Sequence, residues 1–270
     1  MIIAQISDPH INEIAFDPQR AERAEAALRQ AIAHLLRLPA RPDAVLLTGD
    51  CVHTGAAAEY DRLGELLREL PIPLYAVPGN HDDRAGFLQL FGAQGAEPLA
   101  GFAQYAVDAG PLRLLALDTH IPGAGGGRLD APRLAWLAER LAEAPDRPTI
   151  IFMHHPPFNT GLAPLDEIGL EGADEFGALV GRFPQVERIV AGHVHGHMQR
   201  RFHGTLAVTC PAVAHNLVPD FTHPARLDAV LEPPTLLLHV WSPAAGLVTH
   251  ASLIGDHGPP APLHDGRSWI

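Results

Sequence analysis

Lysine is absent from this chain of 270 residues, and all 19 of its basic side chains are arginine. Schiff-base catalysis, Walker-type phosphate loops and Ser-Lys dyads are therefore excluded, because each requires the ammonium group of a lysine. Acidic residues outnumber basic ones, and the formal net charge at pH 7 is −12. This balance argues against a general affinity for nucleic acid or for anionic lipid.

Cysteine and long apolar runs are scarce as well. The two cysteines, Cys51 and Cys210, form neither a CxxC motif nor a disulfide framework, which suits a reduced chain. No apolar run reaches the roughly 18 residues of a membrane span. The opening MIIAQISD lacks the basic segment and the cleavage site of a secretory signal. We therefore expect a cytoplasmic protein with no membrane partner.

Short apolar runs alternate with amphipathic stretches along the chain, a pattern typical of an α/β fold. Strands are predicted at 1–7, 43–50, 73–79, 102–108, 112–118, 148–155 and 186–193. Helices are predicted at 17–38, from about 56 to 70, in a short stretch ending near 91, and from about 130 to 143. No linker or internal repeat divides the sequence. We expect one domain over residues 1–270, with two packed sheets and helices on the outside.

Histidine is the side chain in surplus, with 17 residues, and ligand-type side chains lie at or just after the carboxyl ends of five of the predicted strands. They are Asp8 and His10; Asp50; Asn80, His81 and Asp82; His154 and His155; His193 and His195. Taken singly, each group has another explanation, such as a turn for DPH, a polar loop for GNHDD or a solvated edge for AGHVHGH. Ligand sites in α/β folds collect at the carboxyl ends of strands, so the coincidence of all five favours a metal site. Nitrogen and oxygen donors without sulfur suit Zn, Fe, Mn or Co.

The motif series DPH, GD, GNHD, HH and GHVH resembles the signature of the calcineurin-like, or metallophosphoesterase, superfamily. Within it, AQISDPH, PLYAVPGNHDD and FMHHPPF make the chain similar to bacterial class III phosphodiesterases that act on glycerophosphodiesters or on cyclic nucleotides. The likeness covers nearly the whole chain. It implies a β-sandwich of two sheets flanked by helices. It also implies a small cap within about 211–235, through which relatives form homo-oligomers.

The resemblance further implies a pair of divalent transition metal ions, Fe, Mn, Zn or Co. One ion is expected on Asp8, His10, Asp50 and His195, and the other on Asp50, Asn80, His154 and His193. Asp50 would bridge the two, since a carboxylate offers two oxygens while an imidazole offers one free lone pair. Because His193 and His195 would serve different ions, the backbone between them has to bend.

His81 and Asp50 are the catalytic residues that the resemblance implies. His81 is expected to stabilise the transition state and to protonate the leaving alkoxide. For Asp82 two roles stay open, fixing the tautomer of His81 or capping the helix that follows. Candidate substrate contacts are Asn80, His81, His53, His197 and His215. For His53 an ordinary loop position is the alternative, and His155 is expected to be structural.

The expected reaction is hydrolysis of a small phosphodiester by metal-activated hydroxide, which makes the chain a phosphoric diester hydrolase. Two dications, two carboxylates and a hydroxide sum to one positive charge, which matches a monoanionic diester. The alternatives are a phosphomonoesterase, a nuclease and a scaffold without activity. The net charge disfavours a nuclease. A monoesterase would need extra cationic groups, and no arginine lies within the motifs. A scaffold would have lost ligand positions, yet all of them are filled.

Overall fold

The computed structural model describes residues 1–12, 17–92, 94–223, 225–258 and 261–264. Within these ranges the strands are β1 (Ile2–Ile6), β2 (Ala44–Leu47), β3 (Leu74–Ala76), β4 (Tyr105–Ala109), β5 (Leu112–Ala116), β6 (Gly127–Arg128), β7 (Thr149–Phe152), β8 (Leu170–Glu171), β9 (Val186–Ala191), β10 (Gln199–Phe202), β11 (Thr205–Thr209), β12 (Asn216–Leu217), β13 (Ala229–Val230), β14 (Thr235–Ser242) and β15 (Gly246–Leu253). The helices are α1 (Pro18–Arg37), α2 (Ala57–Leu67), α3 (Arg84–Phe91), α4 (Ala131–Glu143), α5 (Ala163–Asp166) and α6 (Ala173–Val180).

Two sheets form the centre of the fold. The first has the order β15-β14-β1-β2-β3, in which β1, β2 and β3 are parallel and the last two strands of the chain are antiparallel additions. The second has the order β10-β11-β9-β7-β5-β4, with four central parallel strands between two antiparallel edges. The strands predicted at 102–108 and 112–118 form an antiparallel hairpin, β4 and β5. Parallel strands end at a common edge, so the loops after them are neighbours.

Side-chain alternation along the strands places apolar residues on both faces of each sheet. In β2, Ala44 and Leu46 point into the layer between the sheets, while Val45 and Leu47 point outward against α1 and α2. The outer face of the second sheet packs against α4 and α6 in the same way. Strands buried on both faces read as continuous apolar runs. The predicted sandwich of two sheets flanked by helices is confirmed.

Helix α1 has the capping residues that are typical of a helix N-terminus. The Asp17 side chain accepts a hydrogen bond from the Arg20 backbone N–H at 3.0 Å, and Pro18 occupies the first helical position. The buried positions recur every three or four residues; they are Ala21, Ala24, Leu28, Ala31, Ile32 and Leu35. The helix therefore covers the first sheet with one face and presents the other to solvent.

The segment between the FMHHPPF motif and β9 contains elements that the sequence pattern did not predict. It contains α5, the short strand β8 and α6, which buries Phe176, Leu179 and Val180. Helix α6 is eight residues long and begins after Gly172 at φ 83°, so neither its length nor its cap gives a signal.

The range 211–235, expected to contain a cap, holds the two-stranded sheet of β12 and β13; its residue 224 lies outside the described residues. A cap role for this range stays a prediction. In the described part of the chain, no helix combines the length and the apolar composition that a membrane span requires.

Candidate metal centre

The loops that carry the ligand-type residues have a strained backbone. Of the seven non-glycine residues with positive φ in the described part of the chain, five are Asp8, His10, Asp50, His193 and His195, at φ between 45° and 71°. Such left-handed conformations cost about 1 kcal/mol or more each and persist where the surroundings enforce them. His193 and His195 both have left-handed backbone conformations. The chain therefore bends between them, and the two side chains can occupy separate positions.

The first donor set consists of Asp8, His10, Asp50 and His195, which are all buried and offer one ligand atom each within 4.8 Å of one another. His10 Nε2 lies 3.1 Å from His195 Nε2 and 3.6 Å from Asp50 Oδ2. His195 Nε2 lies 3.5 Å from Asp8 Oδ1. Two imidazole nitrogens and two carboxylate oxygens thus converge on one point.

The second donor set consists of Asp50, Asn80, His154 and His193. Asn80 Oδ1 lies 3.0 Å from His154 Nε2 and 3.0 Å from His193 Nδ1. His154 Nε2 lies 3.4 Å from Asp50 Oδ1. Because Asp50 Oδ2 faces the first donor set and Oδ1 faces the second, the carboxylate lies between the two.

Backbone carbonyls determine which ring nitrogen is free in three of the ligand histidines. His154 Nδ1 donates to Thr48 O at 2.8 Å, and His195 Nδ1 donates to His215 O at 2.9 Å. His193 is oriented the other way, with Nε2 donating to Ile168 O at 3.1 Å. A carbonyl oxygen only accepts, so in the neutral rings the opposite nitrogens carry lone pairs that point into the donor sets. Acceptors facing acceptors repel unless a cation lies among them, and the residues present therefore fit a divalent metal ion.

The electrostatics of the donor sets agree with this fit. Burial lowers the pKa of His193 to about 3 and also lowers the pKa of His195, so both rings are neutral ligands at pH 7. Burial opposes charge on Asp50, but His154 and His10 hold its pKa well below the usual range. Against the effect of burial, the Asp50 carboxylate raises the pKa of His154 to about 9. The site therefore favours positive charge beside Asp50.

Glycines allow the loops to approach the ligands closely. A Cβ on Gly79 would overlap Asp50 Oδ1 and the Asp50 backbone nitrogen, and a Cβ on Gly192 would overlap Ser7 Oγ. Any larger residue at either position would displace a loop that carries a donor.

His81 lies beside the donor sets at the wall of a cavity of about 200 Å³. Its backbone N–H donates to Asp50 Oδ1 at 2.9 Å, and its Nδ1 donates to His53 O at 2.7 Å. This orients Nε2 away from the His53 carbonyl. The ring stacks on that of His53 and meets the ring of His10 edge-on.

The other candidate substrate residues lie at different places around the same centre. Asn80 and His215 line the small cavity with His81. His53 does not line it but has its Nδ1 3.4 Å from His10 Nδ1. The exposed His197 lies along a separate groove of about 860 Å³ that also reaches His195.

His155 and Asp82 are held by protein contacts. Both ring nitrogens of His155 are engaged, one 2.8 Å from Thr119 Oγ1 and the other 3.1 Å from Gly125 O, so none is left for a cation. Both roles considered for Asp82 are wrong: Asp83 caps α3, and His81 Nδ1 bonds to a carbonyl. Asp82 is buried, so its carboxylate bonds to backbone N–H groups of the neighbouring loops instead of capping α3 or reaching His81.

The Asp82 carboxylate accepts hydrogen bonds from the backbone N–H groups of Gly79, Cys51 and Val52, at 2.8, 3.1 and 3.3 Å. It also accepts one from the Tyr60 hydroxyl at 3.1 Å. Asp82 therefore ties the Asp50 loop to the Asn80 loop, and burial together with Asp50 raises its pKa to about 6.

Arg20 is the functional candidate that sequence reasoning missed. It lies in the first turn of α1, outside every motif, yet it lines the small cavity together with His10, Asp50 and His215. Burial and then the positive charge of Arg20 lower the pKa of His215. No spacing rule links residue 20 to the strand-end motifs, because only packing of α1 against the first sheet brings it there.

Comparisons with known sequences identify a family and several relatives. A profile of the calcineurin-like phosphoesterase family matches residues 1–197. The chain is 31% identical over 271 residues to a probable glycerophosphodiester phosphodiesterase GpdQ of Arcobacter nitrofigilis, covering 100% of this chain and 99% of the relative. It is 36% identical over 243 residues to the glycerophosphodiester phosphodiesterase GpdQ of Enterobacter lignolyticus, covering 88% and 86%. It is 27% identical over 221 residues to the 3′,5′-cyclic adenosine monophosphate phosphodiesterase CpdA of Escherichia coli, covering 80% and 78%.

Solved structures share the architecture. A dimetal phosphatase from Danio rerio superposes with a TM-score of 0.64 at 18% identity, covering 94% of this chain and 99% of that one. A purple acid phosphatase from yellow lupin seeds superposes with a TM-score of 0.62 at 15% identity, covering 93% of this chain and 53% of that one. At these identities the likeness concerns the fold alone.

Proposed function

We propose that this chain, which belongs to the calcineurin-like phosphoesterase family, hydrolyses small phosphodiesters at a centre of two divalent metal ions. The family match confirms the resemblance inferred from the motifs. The observation that carries the proposal is the position of Asp50, whose two carboxylate oxygens face the two donor sets. A carboxylate between two clusters of imidazole and oxygen donors would allow these residues to hold two divalent ions close together.

The metal ions would be held by the first and second donor sets, and when bound they supply Lewis-acid activation of water and of the phosphoryl oxygens. The residues of the chain do the remaining work. The carbonyls of Thr48, His215 and Ile168 keep three ligand rings in the required tautomer. Asp82 holds the Asp50 and Asn80 loops at a constant separation. Donors without sulfur support Zn, Mn, Fe or Co as the ions.

His81 is the candidate acid for the leaving alkoxide. Its Nδ1–H bonds to the His53 carbonyl, so a proton for the substrate has to be carried on Nε2, in the imidazolium form. That form also places positive charge beside the cavity, where negative charge develops on the phosphoryl group. Proton donation and stabilisation of negative charge by His81 thus both depend on a proton at Nε2.

Phosphodiesters of small alcohols suit the size and charge of the site. The cavity over the donor sets has a volume of only about 200 Å³. A monoanionic diester matches the single positive charge that remains after two dications meet two carboxylates and one activated water. The relatives named for glycerophosphodiesters and for cyclic adenosine monophosphate act on diesters of this kind.

A phosphomonoesterase is the second candidate, and one observation favours it. The lack of arginine within the motifs argued against this activity, but Arg20 lines the cavity over the donor sets. A guanidinium there supplies part of the extra positive charge that a dianionic monoester requires. The charge of the site alone therefore does not distinguish hydrolysis of a diester from hydrolysis of a monoester.

The deciding experiment is hydrolysis of a substrate panel by the full chain reconstituted with Zn, Mn, Fe or Co. The panel contains glycerophosphoethanolamine, cyclic AMP, 2′,3′-cyclic AMP, bis(p-nitrophenyl) phosphate and p-nitrophenyl phosphate. We expect a metal-dependent rate with at least one diester that exceeds the rate with the monoester. A monoester cleaved far faster than every diester would overturn the substrate class, and no metal uptake would overturn the mechanism.

We also propose a cytoplasmic, homo-oligomeric protein without nucleic-acid partners. Cys51 and Cys210 are both buried and unpaired, as in a reduced compartment. Phe221 and Leu231, in the range expected to form a cap, are 66% and 73% exposed, and a second copy would cover such side chains. The net charge of −12 disfavours nucleic acid. Sedimentation equilibrium checks the oligomer, and a monomer at all concentrations would contradict it.

A further inference from the structure

We infer that a cavity beside the metal centre, lined by Arg20 and Arg23, binds an anionic group on the alcohol part of the substrate. Substrates with a carboxylate or a second phosphate away from the scissile phosphate are then preferred. This inference rests on the proposed function, because it concerns the part of a phosphodiester that is not hydrolysed. We call this cavity the arginine subsite.

The arginine subsite adjoins the donor sets directly. Its volume is about 430 Å³, and its polar lining consists of His10, Asp17, Arg20, Arg23 and His215. Three of these residues, His10, Arg20 and His215, also line the cavity of about 200 Å³ over the donor sets. A diester with its phosphate at the donor sets therefore reaches the subsite by passing the Arg20 side chain.

The helix α1 explains why two arginines meet there. Arg20 and Arg23 are three residues apart, so their side chains lie on the same face of the first two turns. Arg20 is partly buried at the wall shared by the two cavities, while Arg23 is exposed at the rim. The remaining lining is apolar and mostly small, which leaves room for a short carbon chain; it consists of Ala24, Ala214, Ala229 and Leu231.

The charge of the subsite is not neutralised within the described part of the chain. Neither guanidinium takes part in any of the ion pairs found there, although many other arginines are paired with carboxylates. Asp17 is the one acidic residue in the lining, and its Oδ1 already accepts the backbone N–H of Arg20. Two guanidinium groups against one carboxylate leave the subsite with one net positive charge, in a chain whose total is −12.

Arg23 allows binding of the alcohol part of the substrate to be distinguished from binding of the scissile phosphate. Of the two arginines, Arg20 alone lines both cavities, so its guanidinium could act on either anion. Arg23 lines only the arginine subsite, and a loss that follows its removal reports on the alcohol part of the substrate. A guanidinium with a carboxylate or phosphate forms a bidentate, charge-assisted pair that a neutral group does not replace.

The test compares glycerophosphoserine with glycerophosphoethanolamine, two diesters that differ by a single carboxylate. For the wild-type protein we expect a higher kcat/KM with glycerophosphoserine. Arg23→Gln and Arg20→Gln should each reduce the ratio of the two kcat/KM values by about tenfold, the order expected for one charge-assisted hydrogen bond at a partly exposed site. For Arg23→Gln the change should appear in KM. Arg37→Gln, the same substitution on an exposed residue in the last turn of α1, should leave the ratio unchanged.

Calorimetric binding of both compounds to metal-reconstituted His81→Ala, and to the same protein with either arginine substitution, provides a second readout in which turnover is slow, with the same tenfold difference expected. An unchanged ratio in both arginine variants overturns the subsite. A parallel loss with both substrates in both variants also overturns it, because the arginines would then act on the shared phosphate. If the wild-type protein hydrolyses no diester, the proposed function fails, and the calorimetric ratio still decides whether the subsite exists.

Discussion

Replacing Asn80 by alanine tests the division of the site into two donor sets. The substitution removes the amide oxygen that lies 3.0 Å from His154 Nε2 and 3.0 Å from His193 Nδ1. The second donor set loses one of its four donors, and the first donor set is untouched. We expect metal affinity at the second position to fall by at least about tenfold, which corresponds to about 1.4 kcal/mol, while the first position is unaffected.

The assay follows both positions separately. Metal-free protein is titrated with Zn in competition with a chelator of known affinity, and bound metal is counted by elemental analysis after dialysis. The wild-type chain should retain two equivalents, and Asn80→Ala should retain one at a metal concentration that saturates only the tighter position. Far-ultraviolet circular dichroism and urea unfolding of the metal-free variant check that the fold is intact.

Asn159→Ala is the matched control, because Asn159 is exposed and lines the separate larger groove. It should bind metal as the wild type does. Unchanged stoichiometry and affinity in Asn80→Ala would remove this residue from the donor set. Equal weakening of both positions in a folded variant would refute the division into two sets and leave one coupled site.

Three further predictions concern the side chain of His81, the backbone at Gly79 and the buried His239. His81→Ala should lower kcat for bis(p-nitrophenyl) phosphate by about 10²- to 10⁴-fold with metal content unchanged, and a parallel loss of metal would contradict its catalytic role. Gly79→Ala should weaken both metal positions, because its Cβ would overlap the shared Asp50 carboxylate; full metal retention in the folded variant argues against that overlap. Burial lowers the pKa of His239 to about 3, so between that value and its unfolded pKa near 6.5 the unfolded state binds more protons and stability falls as the pH drops. His239→Leu should remove up to about 1.4 kcal/mol per pH unit of that loss in urea unfolding at pH 5 and 7, and an identical pH slope in both proteins would contradict the assignment.

Local rules explain why the strand-end residues could be predicted. Apolar runs such as AVLL define a strand by themselves, and a parallel sheet brings the following loops together, so residues like Asp8 and Asp50 could be grouped without coordinates. The cap at Asp17 is equally local, since the acceptor and the donor lie three residues apart. Interactions within one turn or one strand depend on neighbouring residues in the sequence.

Residues that act through distant partners could not be assigned in this way. Asp82 shows the difference, because its neighbours suggested a helix cap or a contact to His81, whereas burial directs its carboxylate to Cys51, Val52 and Tyr60. The carbonyl of Ile168, which sets the tautomer of His193, lies in a segment for which the sequence predicted no structure.

Consecutive residues are enough to predict the α/β architecture and the chemical character of the site, because strand periodicity, helix caps and the nitrogen and oxygen donors are all local features. The coordinates were needed to learn which oxygen of Asp50 faces which histidines, and that Arg20 and Arg23 lie beside them. These arrangements depend on how α1 and the loops pack across the edge of two sheets. Such packing joins residues far apart in the chain, and no local pattern encodes their distance.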